Sequence, residues 1–562
     1  MSLKKYIIIE PKKVVILLGI CVLAACSIEK GEKSTGPAEE KYNILWLVAE
    51  DMSPWLASFG DSTASTPNLD KLAPEGVRYT NVFSTSGVCA PSRSALITGM
   101  YPTAIGSNNM RTWKRSSALK PDNPLYYEIP LYETVTPAAV KCFPEYLRSA
   151  GYYCTNNSKT DYQFAPPITA WDESGNKAHW RNRPDEMPFF SVFNFGVTHE
   201  SQIWKKSNDS LRVDPEKVPL PPYYPDNAIV RGDVARAYSN IEEMDAQVGE
   251  IINELKTDGL YDKTIIFFYT DHGAGLPRHK REVYDQGTHV PMIIRFPGGQ
   301  GAGTINDELV SFVDFAPTLL SLTGVDIPEY MHGQVFLGNL KSPEPREYIY
   351  AARDRMDTYY ELIRAVRDKR YLYIKNYFPE KPHYQENLYR LQMPLMRELL
   401  RLNEEGQLTG AQKTWFKQTK PEEELYDTSE DPFHLNNLAA SSEYQETLIK
   451  MRRKLGEWQN QYGDLGMIPE KELAERMWPG GVQPETVKPE MKIEKNKVVI
   501  QSPTEGASIA FQVFNKGKVE KRKDHWSLYT GPVDISEGDT IKAVAIRIGY
   551  KQSPEQLFVN NR

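Results

Sequence analysis

A cysteine stands at position 89 in the run Cys89-Ala90-Pro91-Ser92-Arg93-Ser94, and its neighbours suit chemistry on an anion. Proline fits the first turn of a helix, where its missing N–H has no intrahelical partner in any case. A helix opening near Pro91 therefore directs unpaired backbone N–H groups toward whatever sits beside Cys89. Arg93 adds a planar fork of donors. A buried cysteine ahead of a helix accounts for Pro91 but gives Arg93 no role. Glu50 and Asp51 close the apolar run 43–49, and Asp271 closes the run 264–270. Carboxylate oxygens are what a hard divalent cation binds. One acidic residue at a strand end is an ordinary cap or turn residue. Two such ends together with the cysteine run point to a cation site.

These residues meet only if the elements that carry them lie side by side. Residues 43–49, 191–197, 264–270 and 291–296 are apolar, strand-like runs. Helical spacing spans 234–256, with Ile241, Met244, Val248, Ile251, Ile252 and Leu255 on one face. Further helices are expected from Pro67, from Pro91, over 137–150 and over 313–322. Strands alternating with helices predict an α/β fold with a mostly parallel sheet. In such sheets the site lies beyond the C-terminal ends of the strands, where Asp51 and Asp271 would meet. This catalytic domain is expected over 41–345. A smaller α+β subdomain with an antiparallel sheet is expected over 346–465, with a hairpin at 365–374 and helices over 389–403 and 441–461. A Pro- and Glu-rich linker over 466–490 leads to a small β-sandwich over 491–562.

Lys4, Lys5, Lys12 and Lys13 precede an apolar run from Val14 to Ala25, too short for a spanning helix. It ends Leu23-Ala24-Ala25-Cys26, which resembles a bacterial lipobox. Residues 1–25 are read as a signal peptide, Cys26 as the lipidated new N-terminus, and 26–40 as a tether. The expected location is outside the cytoplasm, with the lipid as the only membrane contact. Removing those four lysines and Glu10 takes the formal charge from −7 to −10. A protein gripping a polyanion by bulk charge should be basic, so nucleic acid is not an expected partner. Any polyanion must be held by local Arg, Lys and His in a pocket. Of five cysteines, Cys21 leaves with the signal and Cys26 takes lipid. Cys142 and Cys154 are either a disulfide or two small buried residues. Cys89 is the odd thiol.

The run from Cys89 to Gly99 resembles the C-x-P-S-R…T-G signature of the type I, formylglycine-dependent sulfatases. The framework segments 313–320 and 424–439 resemble the same family. The resemblance covers about 41–460, is closest to the heparan N-sulfatase-like group, and implies the alkaline-phosphatase-like fold. It implies that a maturase oxidises Cys89 to formylglycine. The hydrated aldehyde attacks sulfur with one oxygen, and collapse of the other expels sulfate. It implies a Ca2+ or Mg2+ site built from Glu50, Asp51, residue 89, Asp271 and His272. This chain has Glu-Asp and Asp-His where the family usually has Asp-Asp and Asp-Asn. Lys280, in a segment similar to K-x-x-x-Y-E-G-G, carries over as a sulfate ligand, although Asp285 and Gln286 differ. Lys159 matches the lysine of G-K-x-H, with Asp161 at the histidine position. His199 carries over as the imidazole at the leaving oxygen. Arg111, Asp161, Arg353, Arg355 and Asp357 are expected substrate contacts at the mouth.

The expected substrate is a sulfated saccharide, carrying sulfate esters or sulfamates. Two other functions keep the same residues. One is a phosphodiesterase or phosphonate hydrolase of the same superfamily. The other is a non-catalytic, glycan-binding surface lipoprotein, against which the intact cysteine run argues. The tail resembles the C-terminal sandwich of chitobiase-like glycosidases and carries no catalytic constellation.

Overall fold

The computed structural model describes residues 41–561 apart from 114–119, 123, 185 and 516–524. The signal segment 1–25, Cys26 and the tether 26–40 lie outside the described residues. Every residue of β1 (Asn43–Ala49) is buried. Ile44, Trp46 and Val48 enter one core with Phe143, Leu147 and Phe315. Leu45, Leu47 and Ala49 enter another with Val234, Tyr238 and Ile241. The two-residue period of a strand makes this split. Coverage of both faces is why the sequence there is continuously apolar rather than alternating.

A nine-stranded sheet is completed by β2 (Val77–Phe83), β3 (Tyr153–Asn157), β4 (Glu173–Ser174), β5 (Phe189–Phe195), β6 (Thr264–Thr270), β7 (His289–Arg295), β8 (Ile305–Asn306) and β9 (Val310–Ser311). Its order is β4-β3-β5-β1-β6-β7-β2-β8, with β9 also on β2. From β4 to β6 the strands are parallel. The sheet is mostly parallel, as expected, and β7 is the departure: it runs antiparallel to both β6 and β2. Between β6 and β7 the chain makes only the four-residue helix Asp285–Thr288. With no crossover helix, the chain returns antiparallel. Ala49 of β1 pairs with Phe195 of β5 and Thr270 of β6, so three strands end level.

The helix Cys89–Thr98 is buried at every position. It opens two residues ahead of the expected start, with Pro91 in its first turn. The long helix Ala228–Thr257 also starts early, because Asn227 Oδ1 accepts from the N–H groups of Ile229 and Val230, both at 3.1 Å. The expected helix over 137–150 is only Pro144–Ser149. Proline is favoured at a helix's first position and resists being placed further in.

The second sheet is an antiparallel meander of β10 (Ile349–Arg353), β11 (Ile363–Arg367), β12 (Tyr371–Asn376) and β13 (Glu423–Asp427). The expected hairpin pairs Ala365 with Ile374. Helices Pro394–Glu404 and Gln445–Tyr462 lie where expected within a few residues. The segment expected as a linker is different: it holds the helix Glu470–Met477, which buries Glu470, Leu473, Ala474 and Met477. Only three apolar residues on one face, among many charges, make it legible as a linker instead.

The tail forms two small sheets, β14 (Glu490–Glu494) and β15 (Lys497–Gln501) with β18 (Val533–Asp534), and β16 (Ser508–Phe514) with β17 (Ser527–Leu528), β19 (Thr540–Ile546) and β20 (Gln556–Val559). Val498, Ile500, Ile509 and Ile541 fill the core between them. The sandwich is tied to the first domain: Arg148 Nη2 donates to Trp526 O at 2.8 Å and Arg547 Nη2 to Thr136 O at 3.1 Å. Cys89, Cys142 and Cys154 are buried free thiols. Among the described residues, no helix is long and apolar enough to cross a membrane.

Candidate active site

Glu50, Asp51 and Asp271 leave the level ends of β1 and β6 together. Asp51 takes a left-handed backbone, φ 51°, and its N–H donates to Asp271 Oδ1 at 3.0 Å. Its carboxylate is divided between two tasks. Oδ2 accepts from Lys280 Nζ at 2.5 Å and from the Glu200 N–H at 2.7 Å. Oδ1 faces inward, 3.1 Å from His272 Nε2 and 3.7 Å from Cys89 Sγ. Asp271 repeats the pattern: Oδ2 accepts from Arg93 Nε at 3.0 Å, and Oδ1 lies 3.7 Å from His272 Nε2. His272 Nδ1 is 2.9 Å from Gly273 O, which fixes the proton on Nδ1 and turns Nε2 inward, 3.2 Å from Cys89 Sγ.

Ligand atoms of Asp51, Cys89, Asp271 and His272 thus lie within 4.8 Å of one another, all buried. Burial opposes ionisation of Asp51, but Lys280, His199 and His272 more than offset it and hold its carboxyl well below the usual range. Burial likewise raises Cys89, and Lys159 and Lys280 bring the thiol down to about 6. Burial lowers His272, yet Asp271, Cys89 and Asp51 push it up to about 10. The field at this point selects positive charge.

Glu50 stands beside this group rather than in it. Its Oε2 accepts from Lys159 Nζ at 2.5 Å, and it groups instead with Asp51 and His199. Lys280 Nζ lies 3.4 Å from His199 Nε2. On the other side of the ring, His199 Nδ1 lies 2.8 Å from Ser201 Oγ and accepts from the Ser201 N–H at 3.2 Å, so both ring nitrogens are engaged. Arg93 Nη1 donates to Asn194 Oδ1 at 2.7 Å, while Nη2 is buried without a partner. Such an orphan donor marks where an anion's oxygen belongs.

At the mouth, Arg111 is partly exposed, 4.0 Å from Asp357. Asp161 is half-buried near it: burial raises its carboxyl, and Arg111 and Lys159 pull it below the usual range. It is therefore ionised and cannot serve as a proton donor. Arg111, Asp161 and Asp357 all have φ between 53° and 58°. Arg353 and Arg355, expected at the mouth, are corrected: both are buried. Arg353 Nη1 donates to Glu282 at 2.5 Å, and Arg355 Nη2 to Glu470 at 2.7 Å. Their sequence neighbourhood resembled a loop, whereas Arg353 ends β10 and points inward. Sequence reasoning also passed over Asn194 and Glu200. Asn194 is a lone polar residue near the end of the apolar run Phe189–Phe195, a detectable signal. Glu200 pairs with Arg281 at 2.7 and 2.9 Å and orders the Lys280 loop.

The sulfatase family profile matches residues 42–176 and 176–325, and that of the N-sulphoglucosamine sulphohydrolase C-terminal region matches 277–399. The chain is 48% identical to an ulvan-active sulfatase of Formosa agariphila, across 93% of this chain and 92% of that one. The chain belongs to the sulfatase family. It is 24% identical to human N-sulphoglucosamine sulphohydrolase over 78% of this chain and 94% of that one. A solved 2-O GAG sulfatase shares the fold, with a TM-score of 0.54 and 20% identity over 76% of this chain and 93% of that one. A phosphonate monoester hydrolase of Agrobacterium radiobacter shares it too, at TM-score 0.54 and 17% identity over 82% of this chain and 100% of that one.

As a sulfatase, this protein is a sulfuric ester hydrolase, and the family works with a metal ion and a formylglycine. The residues present fit both. Two inward carboxylate oxygens and an imidazole with its Nδ1 already engaged are a donor set for a divalent ion. A proton held on His272 by the same carboxylates is what such an ion displaces. Cys89 is a buried, unpaired thiol at the first residue of its helix, touching that donor set.

Proposed function

We propose that this sulfatase removes sulfate groups from a polysaccharide, with residue 89 as formylglycine and Ca2+, or Mg2+ in its place, at Asp51, Asp271 and His272. The substrate class rests on the identity to the ulvan-active sulfatase, which runs over 93% of the chain and so takes in the mouth as well as the centre. When in place, the hydrated aldehyde and the cation supply a nucleophilic oxygen and neutralise sulfate charge. The chain's own residues do the rest. The free Nη2 of Arg93 holds a sulfate oxygen, and Lys159 and Lys280 balance the remaining charge. His199, whose Nε2 lies 3.4 Å from Lys280 Nζ, is the imidazole placed to serve the departing sugar oxygen as general acid. Asp161, ionised, accepts from a sugar hydroxyl instead of giving a proton. Arg111 and Asp357 flank that position.

The mature protein is proposed to be anchored outside the cytoplasm by lipid on Cys26, after a maturase has converted Cys89. The test is co-expression with a formylglycine-forming maturase, mass spectrometry of the Cys89 peptide, and sulfate release from ulvan and heparin oligosaccharides. Sulfate release that disappears in Cys89→Ala is expected. Fully modified enzyme that frees no sulfate from any sulfated polysaccharide, yet cleaves a phosphonate monoester, would sink the proposal.

A further inference from the structure

A cavity of about 470 Å³ lies on the other side of the loop that carries Lys280. None of its lining residues belongs to the charge cluster described above. Lys280 reaches Asp51, while the adjacent His279 lines the cavity, its Nε2 2.9 Å from Tyr223 Oη. Two aromatic pairs form its walls. Trp55 stacks on Tyr238 with centroids 4.8 Å apart and planes at 23°, and Tyr223 meets Phe433 edge-on at 6.2 Å.

His279 joins the cavity's lining to its Tyr223 wall through Nε2 and is otherwise enclosed. His279 is only 5% exposed, and its Nδ1 has no partner. A buried ring nitrogen left unpaired costs about 1–3 kcal/mol unless something completes it. Burial, with Arg278 nearby, pushes His279 down to about 3, so this nitrogen belongs to a neutral ring. The charged groups of the lining are already occupied. Arg367 donates Nε to Asp285 Oδ1 at 3.0 Å, Nη2 to Asp285 Oδ2 at 3.1 Å and to Thr428 Oγ1 at 3.1 Å, and Nη1 to Asp368 O at 2.6 Å. Asp61 accepts from Tyr238 Oη at 2.6 Å and from the Thr63 N–H at 3.0 Å. Every guanidinium nitrogen of Arg367 has a partner, in contrast to Arg93.

What remains is a volume within the range of small-ligand sites, aromatic walls, and the Tyr223–His279 hydrogen-bonded pair in the lining. A pyranose offers a matching surface, with an apolar C–H face and a rim of hydroxyls. Aromatic rings with a polar handle suit such amphipathic partners. We propose that this cavity is a second saccharide-binding site, which takes an unsulfated stretch of the carbohydrate away from the reacting sulfate. The proposal rests on the polysaccharide reading only for the choice of probe.

Isothermal titration with chemically desulfated ulvan and heparin oligosaccharides tests it without turnover, and sulfate release from the intact polymers is followed in parallel. Binding by the wild-type enzyme is expected. Phe433→Ala, at a partly exposed position, should weaken it at least 10-fold, His279→Gln should weaken it less, and Arg93→Ala should leave it unchanged. Phe433→Ala should also leave sulfate release from a sulfated monosaccharide unaltered. The proposal is overturned if neither desulfated oligosaccharide binds, if Arg93→Ala rather than Phe433→Ala abolishes binding, or if a proline-rich peptide binds there and the sugars do not. A sulfatase that frees no sulfate from either polymer but still binds the desulfated sugars through Phe433 defeats the substrate reading and leaves this one standing.

Discussion

Arg93 and Arg355 are both buried guanidiniums, 5% and 1% exposed, and both are held by carboxylates. They differ in what is left over. Arg355 gives Nε and Nη2 to Glu470 at 2.5 and 2.7 Å and Nη1 to Met110 O at 2.9 Å. Its neighbour Arg364 is equally occupied, bound by Asp354 at 3.0 and 3.1 Å and by Asp464 at 2.7 and 2.8 Å. These arginines join β10, β11 and the chain after the long C-terminal helix to the first domain. Arg93 gives Nε to Asp271 and Nη1 to Asn194 and keeps Nη2 free. Around it, Asp51 and Asp271 each turn one oxygen inward, where among the described cationic side chains only His272 meets them. A closed cluster fixes structure; an open one binds.

The largest effect should follow from opening the chemistry itself. Cys89→Ala is expected to lower kcat/KM on sulfated oligosaccharide by at least about 10⁴-fold, as loss of a nucleophile does. Its melting temperature should stay close to that of the wild type, because no ion pair is left unmatched. An alanine enzyme with more than a tenth of wild-type activity would place the nucleophile elsewhere.

Breaking the closed cluster should do the reverse. Glu470→Leu leaves Arg355 charged and buried, and denaturant titration should show a loss of about 3–5 kcal/mol. The double variant Arg355→Met/Glu470→Leu removes both charges and should regain most of that loss. In both, kcat/KM per folded molecule should change by less than about threefold, since Arg355 reaches neither the sulfate nor the cation set. A double variant no more stable than Glu470→Leu would mean that packing, not the unpaired charge, carries the effect.

The open cluster should respond to metal. With Ca2+ at about 100 times its dissociation constant, binding to the folded state adds about 2.7 kcal/mol, read as a higher melting temperature than in EDTA. Asp51→Asn should lose most of that increment, and Glu470→Leu should keep it. An equal increment in Asp51→Asn would move the cation away from Asp51.

How far the sequence disclosed this arrangement follows from the same distinction. Asp51 and Asp271 were legible because residues at level strand ends must converge in a parallel sheet and β1 and β6 are uninterrupted apolar runs, and Cys89 and Arg93 because the run around Pro91 carries a recognisable motif. Asp271 and Lys280 lie only nine residues apart, so one loop brings both. Arg353 and Arg355 were misplaced because an arginine's type does not reveal whether its donors are occupied. Glu470, which occupies those of Arg355, is 115 residues away in a segment whose composition resembles a linker. Glu50 was placed among the ligands, and its bond to Lys159 depends on a contact over 109 residues that no local pattern encodes.

Asp233 supplies a third condition, a buried carboxyl with no ion-pair partner among the described residues, and its effect shows only as the pH changes. It lies in the helix Ala228–Thr257 and accepts from the Leu395 N–H at 2.6 Å, in the first turn of the helix Pro394–Glu404. Burial raises its pKa to about 7, against the pull of that N–H, Arg397 and Arg236. In the unfolded chain its pKa is about 3.9. Below pH 4 both states carry the proton, and the group makes no difference. Between pH 4 and 7 the folded state keeps a proton that the unfolded state has lost, so stability falls as pH rises. Above pH 7 both are ionised and the full penalty remains. Asp233→Asn keeps an oxygen for Leu395 and removes the ionisation. Its stability relative to wild type should therefore rise from pH 4 to pH 7, by up to about 4 kcal/mol for a separation of about three units, and then level off. A difference that is flat over that range would mean that Arg236 and Arg397 hold Asp233 ionised, as Lys280 holds Asp51, and would place this carboxyl with the paired groups.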